Sequence, residues 1–238
     1  MKLSSIATVL GLSLAAACSG GSSTKAAVDA KVTVDAPTQA DAPAAGCPVS
    51  TADFGDKGAL TMGFAEYSAG MADMGNPAAP NIFSQGVLAG TQAKFDALSV
   101  QLLSDYEPFG TTMAPKPPIA GTYQLTGAQT QFATCGVCVQ VVGDITQSSN
   151  SNFMATGGTL KVTEVGTAVG QKFTFELTNA TFQEVTINDN TLESTPKGTC
   201  TTKISKATFT ATMEAPPSNL LKGRDGKRLV SFKLTRVR

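Results

Sequence analysis

The chain has no histidine and no tryptophan. Without His there is no Ser-His-Asp or Cys-His nucleophile and no imidazole-ligated metal. There is also no side chain that ordinarily changes charge near neutral pH. Without Trp, and with three Tyr among 238 residues, flat stacking surfaces for sugars are scarce. The same shortage argues against a nucleic-acid partner. Gly-x-Ser-x-Gly, Walker and dinucleotide-binding glycine motifs are all missing. Ser-x-x-Lys occurs as Ser22…Lys25 and Ser194…Lys197, the first in a polar stretch and the second in a Pro-Lys-Gly loop. That nucleophile belongs at a helix start, so both matches read as chance. No catalytic residue, cofactor or metal ligand is assigned. Long apolar runs are absent too: the longest, residues 3–17, falls short of the roughly 18–20 residues that span a bilayer.

That run is nonetheless informative. Met1-Lys2 is a short positive tip, residues 3–17 are uncharged, and Ala15-Ala16-Ala17 leads into Cys18. A charged tip, an apolar stretch of this length and small residues before the cut make residues 1–17 a secretory signal peptide. With a cysteine at the cut, the segment resembles the lipobox of bacterial lipoproteins, although Ala15 stands where that family usually has Leu. The resemblance implies that Cys18 is lipidated, becomes the mature N-terminus and ties the protein to a membrane. Ser19 at the second mature position resembles lipoproteins of the outer membrane, whose periplasmic or surface face is left open. The alternative is an ordinary signal peptide cut at or after Ala17. Residues 18–46 then form a linker of Ser, Gly, Ala, Pro and Asp in which Asp29-Ala30, Asp35-Ala36 and Asp41-Ala42 recur every six residues. Such a composition cannot bury enough surface to offset chain entropy, so a disordered stalk is expected. Its average span is about 30 Å. A calcium repeat would need glycines that this period lacks.

Residues 47–238 are long enough for one domain with a substantial core. Setting Cys18 aside leaves Cys47, Cys135, Cys138 and Cys200, an even number that in an exported chain points to two disulfides. The β-branched run around Cys135 and Cys138 reads as a strand over 135–144, in which residues three apart face opposite sides. On that reading one of the pair joins Cys47 and the other Cys200. A thioredoxin-like redox pair would want a helix start, and a four-cysteine zinc site would want two close pairs.

Further strands are predicted over residues 60–66, 98–103, 121–126, 158–165, 173–179, 181–187, 201–213 and 228–238. A bulge or turn near Asn179-Ala180 is needed to reset the apolar phase between Phe173-Phe175-Leu177 and Phe182. Residues 68–97 read as a long loop with a short helix over 86–97. The spacing predicts an all-β fold, a single antiparallel β-sandwich.

Charge is neutral overall but uneven. Residues 47–110 carry two basic and seven acidic side chains, whereas 197–238 carry ten basic and two acidic. Lys222, Arg224, Lys227, Arg228, Lys233, Arg236 and Arg238 could grip a polyanion or an anionic lipid surface. The plainer reading is a solvated strand face, because Val230, Phe232 and Leu234 alternate with polar residues. Asp144, Glu164, Glu176, Glu184, Asp189 and Glu193 leave carboxylate-pair hydrolysis formally open. Asn188-Asp189-Asn190 reads as a turn before it reads as a calcium site. The segments Gly121-Thr122-Tyr123-Gln124-Leu125-Thr126-Gly127, Thr134-Cys135-Gly136-Val137-Cys138 and Gly157-Gly158-Thr159-Leu160-Lys161-Val162-Thr163, with residues 173–187, resemble uncharacterised exported β-rich lipoproteins. The expectation is a membrane-tethered, non-catalytic envelope module with a protein or cell-envelope partner. A carboxylate hydrolase or lyase, or a polyanion or anionic-lipid binder, is the alternative.

Overall fold

A computed structural model describes residues 46–69, 79–146 and 148–216. Cys18, the stalk expected over 18–46 up to residue 45, and the basic residues from Lys222 onward lie outside the described residues, as does the strand predicted over 228–238. Among the described residues there are nine strands: β1 (Asp56–Leu60), β2 (Gly63–Ser68), β3 (Asn81–Gly90), β4 (Phe95–Leu102), β5 (Gly121–Gln124), β6 (Val137–Ile145), β7 (Ser151–Val165), β8 (Lys172–Ile187) and β9 (Ser194–Glu214). The all-β expectation holds. The two-sheet sandwich does not describe what forms: the strands make one large mixed sheet with a near-ring topology.

The cause lies in the long strands. β9 pairs antiparallel with β8 from Ile187↔Ser194 to Lys172↔Thr212, leaving its other edge free over the same length. β1 and β2 take that edge in parallel, at Leu60↔Phe209 and Ala65↔Met213. From β2 the antiparallel pairings run through β3, β4, β6, β7 and β8 back to β9. β5 shares with β6 the edge of β7 that β8 does not use. A sheet curled this way encloses its own core. Leu98, Val100, Val139, Val141, Phe153, Leu160, Phe175, Leu177, Phe182, Ile204 and Phe209 fill it as one cluster. Phe175 and Phe209 stack with ring centres 5.3 Å apart.

Two sequence readings meet the structure closely. The bulge expected near Asn179-Ala180 is present: β8 spends an extra residue between Gly157↔Thr181 and Thr159↔Thr178, with Asn179 at φ 48°. It lies within one continuous strand, so the two predicted over 173–179 and 181–187 are one. Asn188 makes a turn, its Oδ1 accepting from the amides of Asn190 (2.9 Å) and Thr191 (3.0 Å).

The loop predicted over 68–97 is corrected in its described part. Residues 81–102 form the hairpin of β3 and β4, with no helix in 86–97. The inward file of β3 is Ile82, Ser84, Gly86 and Leu88, so two of its four positions carry no apolar side chain. Alternation of hydrophobicity is therefore invisible although alternation of burial is complete. A Cβ at Gly86 would stand 2.9 Å from Leu60 Cδ1 and 3.2 Å from Phe209 Cδ2, so a larger residue there would crowd both side chains. Gly90, at φ 107°, turns the chain into β4.

Candidate functional site

A concavity among the described residues lies where the described chain begins. Opposite Phe95-Asp96-Ala97 of β4, strand β6 carries an extra residue, because Phe95 pairs with Ile145 while Ala97 pairs with Val142. Such a bulge leaves one amide without a ladder partner. Asp144 sits in it at φ 52°, a left-handed conformation that Asp tolerates better than most residues. Its amide donates to Asp96 Oδ1 at 2.8 Å. Asp96 Oδ2 accepts from the Ser50 amide at 2.9 Å and from Ser50 Oγ. At 1% exposure the Asp96 carboxylate is enclosed by these donors, so it fastens residues 48–50 to the bulge. Gly143 permits the approach: a Cβ there would lie 2.1 Å from Pro48 O.

Beyond Ser50 the chain runs beside β9. Phe54 N donates to Lys203 O (2.9 Å), Lys203 N to Ala52 O (3.0 Å) and Thr202 Oγ1 to Thr51 O (2.9 Å). The Cys47–Cys200 disulfide closes this join covalently, with the Cα atoms 5.5 Å apart. Cys47, Val49, Ser50, Gly90, Lys94, Phe95, Asp96 and Asp144 line a half-open cleft of about 240 Å³. Lys94 Nζ meets Asp144 Oδ2 at 2.9 Å on its rim. Partly exposed pairs of this kind contribute about 0–1 kcal/mol. The cleft therefore holds two carboxylates, one consumed by three donors and one facing a lysine. Its evident chemical role is to hold the N-terminal segment.

The second disulfide joins Cys135 to Cys138. This corrects the crossed pairing expected from strand alternation. The strand begins at Val137, so Cys135 precedes it. The amides of Thr134 and Cys135 both donate to Gln131 O at 3.0 Å, so Cys135 ends a tight turn, and its Cα lies 5.2 Å from that of Cys138. Both cysteines are fully buried with Leu103, Phe132, Met154 and Val185.

The acids named for carboxylate chemistry are dispersed. Lys206 holds Glu176 at 2.9 Å and Lys197 holds Glu184 at 3.0 Å. Glu164 accepts from Thr174 Oγ1 and Glu193 from Thr191 Oγ1, each at 3.3 Å. Asp189 is exposed in the turn that Asn188 caps. Ser194 and Lys197 have separate partners: the Ser194 hydroxyl bonds Gln131 Oε1, while Lys197 pairs with Glu184. Among the described residues no group of three or more Cys, Asp or Glu is placed to hold a metal ion. No helix among them is long and apolar enough to cross a membrane.

One acidic pair was not foreseen. Glu66 of β2 and Glu214 of β9 are register partners at the end of their parallel pairing. Burial, and secondarily the charge of Glu214, hold the Glu66 carboxyl above its ordinary value. Between that ordinary value and the raised one, the folded protein keeps a proton that the unfolded chain has released. Stability therefore falls as pH rises through this window. Glu66→Gln is expected to raise Tm at pH 7 and to leave it unchanged at pH 4; thermal melts at the two pH values check this.

The chain matches no family model, no curated protein and no solved structure.

Proposed function

We propose that this protein is a lipid-anchored module of the bacterial cell envelope that binds or braces a partner without catalysis. The observation that carries the reading is the Cys47–Cys200 bond, set where the proposed stalk would meet the folded body. Disulfides persist outside the reducing cytoplasm, which agrees with export by residues 1–17. A covalent clamp at this point would let a body on a tether bear load without its first strands peeling away. The lipid on Cys18 would supply the anchor, since two or more acyl chains hold a protein stably where one is marginal. Ser19 favours the outer membrane as the destination. The separate engagement of Glu164, Glu176, Glu184 and Glu193 is the reason to prefer binding over carboxylate hydrolysis.

The anchor is tested by replacing residues 1–17 with a leader that is cut without lipidation, together with Cys18→Ser. The protein is expected to move from the membrane to the soluble fraction with the Tm of its body unchanged. Retention in the membrane overturns the anchor. Turnover of a purified envelope polymer by the body, abolished by Glu66→Gln, overturns the non-catalytic half.

A further inference from the structure

The connection from β4 to β5 carries the two most exposed large apolar side chains among the described residues, Met113 at 82% and Ile119 at 64%. Between them lies Ala114-Pro115-Lys116-Pro117-Pro118. Each proline holds φ at about −65°. Ala114, Lys116 and Pro117 each precede a proline, which keeps them out of the helical region. The sequence thus directs this stretch to the polyproline II conformation. Burial agrees: Pro115 and Gly121 are half-buried and Pro118 is buried, whereas residues 116, 117, 119 and 120 are exposed. One residue in three faces the body, which is the period of that helix and not the alternation of a strand. The segment is also pinned. Thr111 and Ala114 exchange backbone bonds of 3.2 and 3.0 Å around the Thr112-Met113 tip. Lys116 N donates to Ser104 O at 2.9 Å, and the Tyr123 hydroxyl donates to Ile119 O at 2.6 Å. Tyr123 in turn meets the buried Phe109 edge to face, with ring centres 5.4 Å apart. Gly110 lets the loop fold back, since a Cβ there would lie 2.5 Å from Ser104 O and 2.6 Å from Ala114 O.

We infer that residues 113–120 are a preformed polyproline ligand for a groove of an envelope protein, lined by aromatic rings and carrying a carboxylate opposite Lys116. The inference rests on the binding reading proposed above and names the partner's chemistry. Aromatic-lined grooves take such segments because the prolines pack on the rings and the ligand is already extended. An edge held at Ala114, Lys116 and Ile119 loses little freedom on docking. Met113, Pro117 and Ile119 supply exposed apolar contacts. The Lys116 ammonium makes no ion pair among the described residues, so it is available to a carboxylate on the partner. A lipid surface fits this edge less well. Interfacial segments carry clusters of basic and aromatic side chains, and residues 113–120 have one lysine and no aromatic residue. The location suits the task. β4 starts in the cleft where residues 47–50 are fixed and ends at Leu102, about 24 Å away, and the loop departs from that far end.

A photo-crosslinking residue at position 120 of the full-length protein, in membranes of the producing cell, tests this, with the crosslinked residue identified by mass spectrometry. The expected product joins position 120 to an envelope protein beside Trp, Tyr or Phe residues, and a synthetic peptide of residues 111–121 suppresses it. The same peptide with glycine at positions 115, 117 and 118 is expected to compete about tenfold less well, because the unbound chain is then free. In the full chain Lys116→Glu is expected to cut the crosslink roughly tenfold through charge reversal. Its Tm should be unchanged, since this side chain is exposed. A crosslink to lipid or to a second copy, an undiminished crosslink in Lys116→Glu, or equal competition by the glycine peptide overturns the inference. So does no crosslink at 120. The same crosslinker scanned over Met62, Lys94, Val169 and Asp189 separates the two readings. A protein captured there and not at 120 removes the polyproline edge alone, and no protein captured at any position removes the binding reading with it.

Discussion

Replacing Cys47 and Cys200 together by alanine is expected to lower Tm by roughly 10–15 °C. The bond joins residues 153 apart in sequence, so it removes the closure entropy of nearly the whole domain from the unfolded chain. The chain-entropy estimate for so long a loop is about 5 kcal/mol, and measured values for long loops run at about 2–5. The Cys135–Cys138 bond closes a loop between residues only three apart, so removing both cysteines is expected to cost about 1–2 kcal/mol by the same reasoning. Thermal or denaturant unfolding of the two double variants checks the ranking. Equal losses, or a larger loss for Cys135 and Cys138, would show that the long bond is not the clamp described above.

Asp96→Ala is expected to destabilise by about 3–5 kcal/mol, a loss comparable to that of the long disulfide. The substitution strips three donors of one acceptor group: the Ser50 amide, the Ser50 hydroxyl and the Asp144 amide of the β6 bulge. Asp96→Asn keeps one carbonyl oxygen and should retain about half of the lost stability. Both changes loosen the same N-terminal segment that Cys47 fastens. The triple variant Cys47→Ala, Cys200→Ala, Asp96→Ala should therefore lose less than the sum of its parts. Denaturant melts of the single, double and triple variants give the coupling directly. Full additivity would mean that the carboxylate and the disulfide hold independent pieces of the structure.

The importance of Asp96 was hidden by ordinary sequence logic. Residue 96 falls in the stretch expected to be a loop with a short helix, so nothing marks it as inward, yet it lies on β4 and accepts from the Asp144 amide that the bulge leaves without a ladder partner. The faint signal was Gly143-Asp144 interrupting a valine-rich strand, which is where the bulge falls. The bulge at Asn179 was legible because the apolar phase shifts visibly between Leu177 and Phe182. Strand β3 was illegible because two of its inward positions are Ser84 and Gly86, the second crowded by Leu60 and Phe209. The cysteine count fixed the number of bridges, but the pairing turned on whether Cys135 lay in the strand or before it. A shift of two residues in one boundary decides that, and strand ends are what periodicity places least well. Closure into a near-ring depended on parallel pairing between β9 and the β1–β2 edge, a contact between distant segments that no local pattern announces. Glu66 and Glu214 meet for the same reason.

The most direct test of an exported, tethered and covalently clamped module is intact mass with non-reducing peptide mapping on protein purified from its own membrane fraction. The expected result is acyl mass on Cys18, with linked peptides Cys47–Cys200 and Cys135–Cys138 and no free thiol. An unmodified N-terminus, or Cys47 linked to Cys135 or Cys138, or free thiols at Cys135 and Cys138, would contradict it.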